Sequence, residues 1–436
     1  MDVSKYRVVI AAGLRLPQAR AGGAYGREDA AHLGAAVCRE LLARTAVDPG
    51  ELDEVIVGCV GPPHDQANVG RVIALRAGLP EATPALTVAR NCASGIEMVT
   101  QAATQIEAGQ GSLYLCVGVE VMSAYPLVFS RRAADRFARL ARARSVASRL
   151  GILAGFRPRD FVPRITLMEG LTDPTCGLIM GRTAEVLARE FGVTREEADA
   201  FALESHRRAA AATESGFLPG EILPHLPLEA GLETRSIESD EGIRTDQSLA
   251  RLAKLPPYFE KPDGVVTVGN SCGVTDGAVA MLVTTAERAA ELGLDVLARV
   301  RSFAWAGLAP RRMGLGPVFA SAGALDAAGC RLADIDLVEL NEAFATQVIA
   351  CRRAFASDAF ARAELGREHA LGELDPGRLN PHGGAIALGH PVGATGGRLL
   401  VTAARGLAAR DGDLALATLC IGGGQGGAVV LERRAA

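Results

Sequence analysis

The sequence predicts an α/β protein made of two related halves with a helical segment inserted between them, and three observations predict it. Short apolar runs such as Val55-Ile56-Val57 and Leu113 to Val117 alternate with alanine-rich stretches, the pattern of buried strands flanked by helices. A stretch of the first half is echoed in the second. Between them, roughly from Tyr125 to Tyr258, the composition changes and strand signals thin out.

A chain of 436 residues exceeds what one hydrophobic core usually serves, so more than one structural unit is expected. We expect an N-terminal half over 1–124, an inserted loop domain over 125–258, completion of the first half over 259–288 and a C-terminal half over 289–436. Apolar residues make up 49% and aromatic residues 4%, which favours a core of Ala, Val, Leu and Gly and excludes a disordered chain. A net charge of −4 gives no nucleic-acid footprint. The basic residues are three lysines, Lys5, Lys254 and Lys261, against 43 arginines, a choice we read as codon bias. Nine cysteines with no CxxC pair point to free thiols in a reducing, cytoplasmic compartment.

Taken in order, Met1 to Ile10 passes almost at once into a strand-like run and lacks a secretory h-region. No stretch of about 18 apolar residues follows, so no transmembrane segment is expected. From Leu41 to Gly58 the chain reads helix, turn, then Leu52-Asp53-Glu54-Val55-Ile56-Val57; from Ala324 to Asn341 it reads helix, turn, then Ile335-Asp336-Leu337-Val338-Glu339-Leu340. After Cys92 come a helix, the turn Ala108 to Gly111 and the strand Leu113 to Val117. After His390 come a helix, the turn Arg410-Asp411-Gly412 and the strand Leu414 to Ala417. The echo places Cys92 and His390 at matching points, each where a turn enters a helix.

The insertion holds ten arginines between Arg131 and Arg164 against Asp135 and Asp160, interleaved with Phe137, Leu140, Val146, Leu150, Ile152, Leu153 and Phe156. Such a basic amphipathic element fits an anionic membrane surface, a phosphate-bearing ligand or a partner subunit, and equally a solvated helix face.

Three reactive side chains sit against glycine: Cys92 in Asn91-Cys92-Ala93-Ser94-Gly95, His390 in Gly389-His390-Pro391-Val392-Gly393-Ala394-Thr395-Gly396-Gly397, and Cys420 in Cys420-Ile421-Gly422-Gly423-Gly424. Glycine permits close backbone approach and sharp turns, so these groups are displayed to a substrate. Cys92, after the strand-like Ala85 to Ala89 and before a helix, is expected to have a lowered pKa and an oxyanion site at hand. A thiolate there attacks acyl donors. His390 is the candidate base, and a second thiol at Cys420 points to proton transfer at carbon. The glycines after His390 permit approach of an acyl chain or of the facing half. Asn341, in Asn341-Glu342-Ala343-Phe344-Ala345, holds a water or donates to a carbonyl, or else caps a helix; beside the trio we read it as a site group. A zinc site on Cys92, His390 and Cys420 lacks local ligand spacing, so no metal is assigned.

These motifs resemble the thiolase family over nearly the whole chain, together with Met180-Gly181-Arg182-Thr183-Ala184-Glu185, Asn270-Ser271-Cys272-Gly273 and Thr275-Asp276-Gly277. The resemblance implies a duplicated five-layer αβαβα fold, each half a five-stranded sheet with helices, carrying a loop domain. It implies an acyltransferase in which Cys92 is acylated, His390 activates it and Cys420 shuttles the proton at the acetyl α-carbon. Asn341, through a water, forms one oxyanion hole with His390; the backbone N–H groups of Cys92 and Gly422 form the other. Met180, Cys272, Ala343 and Phe344 are the implied substrate contacts. Coenzyme A is then a substrate and no cofactor is needed.

Ile179 stands before Met180 where short-chain acetoacetyl-CoA thiolases usually have histidine, and Cys272 stands where many members have serine. The long stretch between Asn341 and His390, including Arg352 to Leu379, and the Arg131 to Arg164 segment resemble the thiolase subunit of the fatty-acid β-oxidation multienzyme complex. The expected activity is CoA-dependent thiolysis of 3-ketoacyl-CoA to acetyl-CoA and a shortened acyl-CoA, in β-oxidation. The alternatives are a short-chain acetyl-CoA acetyltransferase making acetoacetyl-CoA, a ketosynthase-like condensing enzyme, which would use a second histidine in place of Cys420, and a non-catalytic acyl-CoA- or lipid-binding homologue. We expect a homodimer or larger homo-oligomer, with a hydratase/dehydrogenase partner subunit and peripheral membrane contact as further candidates through the basic Arg131 to Arg164 segment.

Overall fold

The computed structural model describes residues 7–228 and 235–433. Residues 1–6, read above as the lead-in to the first strand, lie outside the described residues.

Apart from one two-stranded pair, the strands are hydrogen-bonded in one path, one sheet from each half meeting at a seam, in the order Leu337–Leu340, Leu414–Ile421, Gln425–Glu432, Ala298–Gly307, Val8–Arg15, Thr275–Thr285, Leu113–Val121, Glu54–Gly58 and Ala85–Val88, with Ala19–Arg20 beside Thr275–Thr285. The duplication is visible in the pairing. In the first half Ala85–Val88, Glu54–Gly58 and Leu113–Val121 run parallel, then two antiparallel partners follow. In the second half Leu337–Leu340 runs parallel to Leu414–Ile421, again followed by two antiparallel partners. The halves join through a short antiparallel seam, Val9 opposite Arg299 and Ile10 opposite Ala298. One expectation is corrected in detail: the fifth strand of the second half has shrunk to a single parallel bridge, Val338 to Leu379, because Pro376 and Gly377 allow only a short extended run there.

Five layers follow from the two-residue period of strands. Leu113, Leu115, Val117 and Val119 pack outward with Leu33, Leu41 and Ile73 of the helices Ala30–Thr45 and Val69–Arg76. Tyr114 and Cys116 pack inward, in one cluster with Ala415, Ala417, Leu419 and Ile421 of the other sheet. Between the sheets lie the helices Ser94–Glu107 and Val392–Arg410, through Ile96, Val99, Ala103, Leu399, Leu400 and Leu407. The outer face of the second sheet is covered by Gly316–Ala328 and Ala345–Phe355.

The two central helices approach closely because of glycine. A Cβ on Gly95 would lie 2.5 Å from the Gly397 amide nitrogen, and one on Gly396 would lie 2.5 Å from that of Ile96. Of the two uses proposed for the glycines after His390, approach of the facing half is the one these contacts serve.

The inserted region is mainly helical. Met180–Phe191 and Arg195–Glu214 are its longer ordered elements near the core, the latter opened by a reciprocal cap between Thr194 and Glu197. The basic segment forms the helices Arg131–Arg142 and Val146–Ala154 above the two-residue strands Leu127–Val128 and Arg164–Ile165. It leaves Leu127, Val146, Leu150, Phe161, Val162 and Ile165 more than half exposed. Among the described residues no helix is long and apolar enough to cross a membrane.

Candidate active site

Three turns at the ends of strands bring the reactive groups together. The Cys92 turn leaves the strand Ala85–Val88, passes through Asn91 at φ 43° and is closed by Ser94, whose hydroxyl accepts from the Arg90 amide at 2.9 Å and donates to the Asn91 carbonyl at 2.8 Å. Asn91 then donates through Nδ2 to the Gly422 carbonyl at 2.7 Å. That bond ties the Cys92 turn to the one after Cys420. The latter turn needs Gly423 and Gly424, at φ 95° and 81°, and a Cβ on Gly424 would meet the Leu308 carbonyl at 2.3 Å.

Burial pushes the Cys92 thiol pKa up, while the backbone amides of Gly422 and of Cys92 itself hydrogen-bond the sulfur and oppose the rise; Glu120 adds to it. This corrects the expectation of a lowered pKa: desolvation outweighs the helix start. The thiol therefore needs a base.

His390 has the form of one. Its Nδ1 lies 2.7 Å from the Thr395 hydroxyl, which donates its own hydrogen to the Pro391 carbonyl at 3.0 Å. Thr395 thus accepts from Nδ1–H, and the lone pair is left on Nε2. Burial, with Arg398 as a second cause, pushes the imidazole pKa down to about 4. The His390 amide is held by the Thr275 hydroxyl at 2.8 Å.

Asn341 ends the strand Leu337–Leu340 and is fully buried. The following helix begins at Ala345 with Phe344 as its N-cap, which removes the capping role considered for Asn341. Its Nδ2 lies 3.5 Å from His390 Nε2, and its Oδ1 is buried with no hydrogen-bond partner among the described residues. A carbonyl oxygen or a water with two hydrogens could be held between such groups.

Cys420, near the end of the strand Leu414–Ile421, is buried among Met180, Ala184, Phe259, Val266, Met313, Ala343 and Phe344. Burial raises its pKa well above the ordinary thiol value, and the nearby Cys92, Cys351 and Cys272 sulfurs add to this. Cys272 is likewise pushed up to about 12, first by burial and then by Cys92. Its amide bonds the Ala343 carbonyl at 3.1 Å, and Ser271 bridges Phe344, so these two segments run side by side. A Cβ on Gly422 would lie 3.3 Å from Met180 Sδ. The three thiols and the four expected substrate contacts therefore share one neighbourhood, with His390 reaching it through Asn341.

Three supporting residues escaped the sequence reading. Glu120 is buried and its carboxylate accepts from the amides of Val60, Gly61 and Gly393 at 2.9–3.0 Å and from the Tyr125 hydroxyl at 3.0 Å, joining the first half to the start of the His390 helix. A charge inside the apolar run Leu113–Val121 was the available signal. Thr395 sits within a segment read only for its glycines. Glu342, beside Asn341, accepts from Ser205 at 2.6 Å and Asn380 at 2.8 Å, fixing the turn from behind.

A cavity of about 960 Å³, lined by Glu204, Ser205, Arg208, Glu342, Arg352 and Arg353 among others, contains none of the trio. Its mixed charges are largely engaged with one another, as in Arg208 with Glu204 and Arg353 with Glu197, and we do not identify it with the active site.

The chain matches two family models in sequence: "Thiolase, N-terminal domain" over residues 8–287 and "Thiolase, C-terminal domain" over 294–433. It is 39% identical over 429 residues to the 3-ketoacyl-CoA thiolase of Pectobacterium carotovorum, covering 98% of this chain and 96% of that one. Among solved structures it is similar to the acetyl-CoA acetyltransferase of Bacillus anthracis, with TM-score 0.86, 34% identity and coverage of 98% and 99%. It is also similar to human mitochondrial 3-ketoacyl-CoA thiolase, with TM-score 0.84, 34% identity and 98% coverage of both chains, a protein also solved in complex with CoA. The chain belongs to the thiolase family and is an acyltransferase with the thiolase fold.

Proposed function

We propose that the protein cleaves 3-ketoacyl-CoA with CoA, giving acetyl-CoA and an acyl-CoA shortened by two carbons, through an acyl group carried on Cys92. His390 Nε2 takes the Cys92 proton, and the sulfur attacks the 3-keto carbon while the carbonyl oxygen develops charge. The C2–C3 bond breaks, Cys420 gives its proton to the departing acetyl enolate, and acetyl-CoA leaves. Cys420, now a thiolate, takes the proton of the CoA thiol; the CoA sulfur attacks the acyl carbon while the amides of Cys92 and Gly422 hold its oxygen, and the Cys92 sulfur leaves and recovers its proton from His390. Asn341 acts with His390 on the other oxyanion, through a water held at the unpartnered Oδ1. Met180, Cys272, Ala343 and Phe344 contact the substrate. The observation that carries this reading is the pairing of a partly buried, proton-holding thiol with an imidazole kept neutral and turned by Thr395 so that the lone pair lies on Nε2.

Incubation of the purified protein with 3-ketoacyl-CoA and CoA should form acetyl-CoA, and intact-mass analysis with peptide mapping should place an acyl adduct on Cys92. Absence of both ends the reading, and Cys92→Ala should remove both.

The relatives named 3-ketoacyl-CoA thiolase, at 39% identity, support thiolysis of 3-ketoacyl-CoA; our reading places it on medium or long chains, in fatty-acid β-oxidation in the cytoplasm. The likeness to a Bacillus anthracis acetyl-CoA acetyltransferase favours short-chain synthesis as a second reading. Turnover of acetoacetyl-CoA against a long-chain ketoacyl-CoA separates them. A homodimer or larger assembly, with the exposed segment 131–164 meeting a hydratase/dehydrogenase subunit or an anionic membrane, completes the proposal; light scattering that finds a monomer would remove its oligomeric part.

A further inference from the structure

On the outer side of the first half, away from the thiols, Glu28, His32 and His225 converge. Glu28, just before the N-cap Asp29, and His32, in the first turn of Ala30–Thr45, lie four residues apart, whereas His225 comes from the chain after Arg195–Glu214 and is held by a two-way backbone bridge to Ile237. His32 Nδ1 is 2.6 Å from one Glu28 oxygen and His225 Nε2 is 3.5 Å from the other, and the three potential ligand atoms lie within 4.8 Å of one another. The Glu28 side chain is 1% exposed, so this carboxylate is placed for the two imidazoles and the Leu228 amide, which it meets at 2.7 Å.

We infer that Glu28, His32 and His225 form a binding site for a divalent transition-metal ion of the zinc class. Two neutral imidazoles and one carboxylate are a donor set for zinc, at ligand distances of about 2.0–2.2 Å. Around such an ion tetrahedral ligand atoms sit roughly 3.4 Å apart. His225 Nε2 already lies 3.5 Å from Glu28 Oε1, whereas His32 Nδ1 meets the other oxygen, Oε2, so the carboxylate must turn about its last bond to present one oxygen, or both, to the ion. The His32–Glu28 separation must open by under about 1 Å, which the partly exposed His32 ring can do. Binding moves the His32 proton from Nδ1 to Nε2 through solvent, so a neutral ring releases no net proton.

A second observation is independent of the triad. Tyr25, fully buried and edge-on to His225 at a ring separation of 5.6 Å, has a hydroxyl with no hydrogen-bond partner among the described residues. A water completing the coordination of the ion would give that hydroxyl a partner. A pocket of about 310 Å³ lined by Gly23, Gly26, Glu28 and Leu228 reaches the Glu28 side of the cluster. Arg27 and Arg235 line it as well, which favours water or a small anion as the outer ligand. The ion would join the first helix of the half to the inserted region without touching the reaction.

The test uses full-length protein stripped with a chelator, dialysed and titrated with Co²⁺ or Zn²⁺. We expect one ion per chain, a rise in melting temperature with metal, and a Co²⁺ spectrum with ligand-field bands but no sulfur-to-cobalt charge transfer. In His225→Gln affinity should fall more than about 100-fold, beyond the usual cost of losing an outer partner, while thiolysis continues. Should that variant fail to fold, His32→Gln carries the same expectation from a partly exposed position. Sulfur charge-transfer bands, undiminished affinity in the variants, or no binding at micromolar metal overturns the assignment and leaves a hydrogen-bonded triad.

Discussion

At the residue scale the proposed mechanism divides two acid–base tasks between groups whose burial pushes them in opposite directions. The Cys92 and Cys420 thiols are held protonated and His390 is held neutral, so the resting site carries no charge on any of the three. A neutral triad admits an apolar acyl chain without stripping water from an ion first. The proton on Cys420 is then the one available for the departing enolate. Cys420→Ala should consequently keep acylation of Cys92 by an acyl-CoA while carbon–carbon cleavage falls by about 10²–10⁴-fold, the usual contribution of a positioned acid. Rapid-quench mass analysis of the adduct, beside acetyl-CoA release, reads the two steps separately; equal loss of both would contradict the division of roles. The placing of these three side chains at neighbouring turns was legible in sequence because glycine marked all three. Their pKa directions were not, since a helix start is visible in sequence and burial is not.

At the element scale, the active-site turns are positioned by the crossing of two helices rather than by the strands alone. Gly95 faces the Gly397 amide and Gly393 carbonyl, so the Cys92 and His390 turns share one rigid contact. A methyl group at Gly95 meets backbone on the other helix and cannot be accommodated by a rotamer change. Gly95→Ala should therefore cost at least about 1–3 kcal/mol, as overpacking does, and impair acylation of Cys92. Gly151 in Val146–Ala154 is the control: a Cβ there meets nothing within 4 Å, so Gly151→Ala should be neutral or stabilising by about 0.4–1 kcal/mol. Urea unfolding of the pair decides it; similar midpoints would show that the helix crossing yields. The echo around Leu52 to Val57 and Ile335 to Leu340 correctly located matching strands. The shortened fifth strand was not legible, because Arg378 to Asn380 makes too few backbone contacts to leave an alternating pattern.

For the whole molecule, several buried ionisable groups span all regions of the fold and bind protons differently when it unfolds. His206, in the inserted helix, His382, stacked on Phe217 at 3.5 Å, and His390 are each pushed down to about 4, by burial first and by Arg244, Arg410 and Arg398 respectively. On unfolding each regains an ordinary histidine pKa of about 6.5. The unfolded chain therefore binds more protons between pH 6.5 and 4, and stability contributed by these three falls as pH drops through that window. Glu339 has the opposite sign. Burial raises its carboxyl to about 8 despite Arg398, so the folded chain binds the extra proton, and its contribution falls as pH rises from the carboxylate range to about 8. The two trends cross. Thermal unfolding followed from pH 4.5 to 8.5 should peak in melting temperature near neutrality, at about pH 6–7, and decline more steeply on the acid side, where three histidines oppose one glutamate. His206→Gln should shallow the acid limb and leave the alkaline limb unchanged. A melting temperature that rises continuously toward pH 4.5 would mean that the buried carboxyls, Glu339 with Glu120 and Glu342, outweigh the histidines.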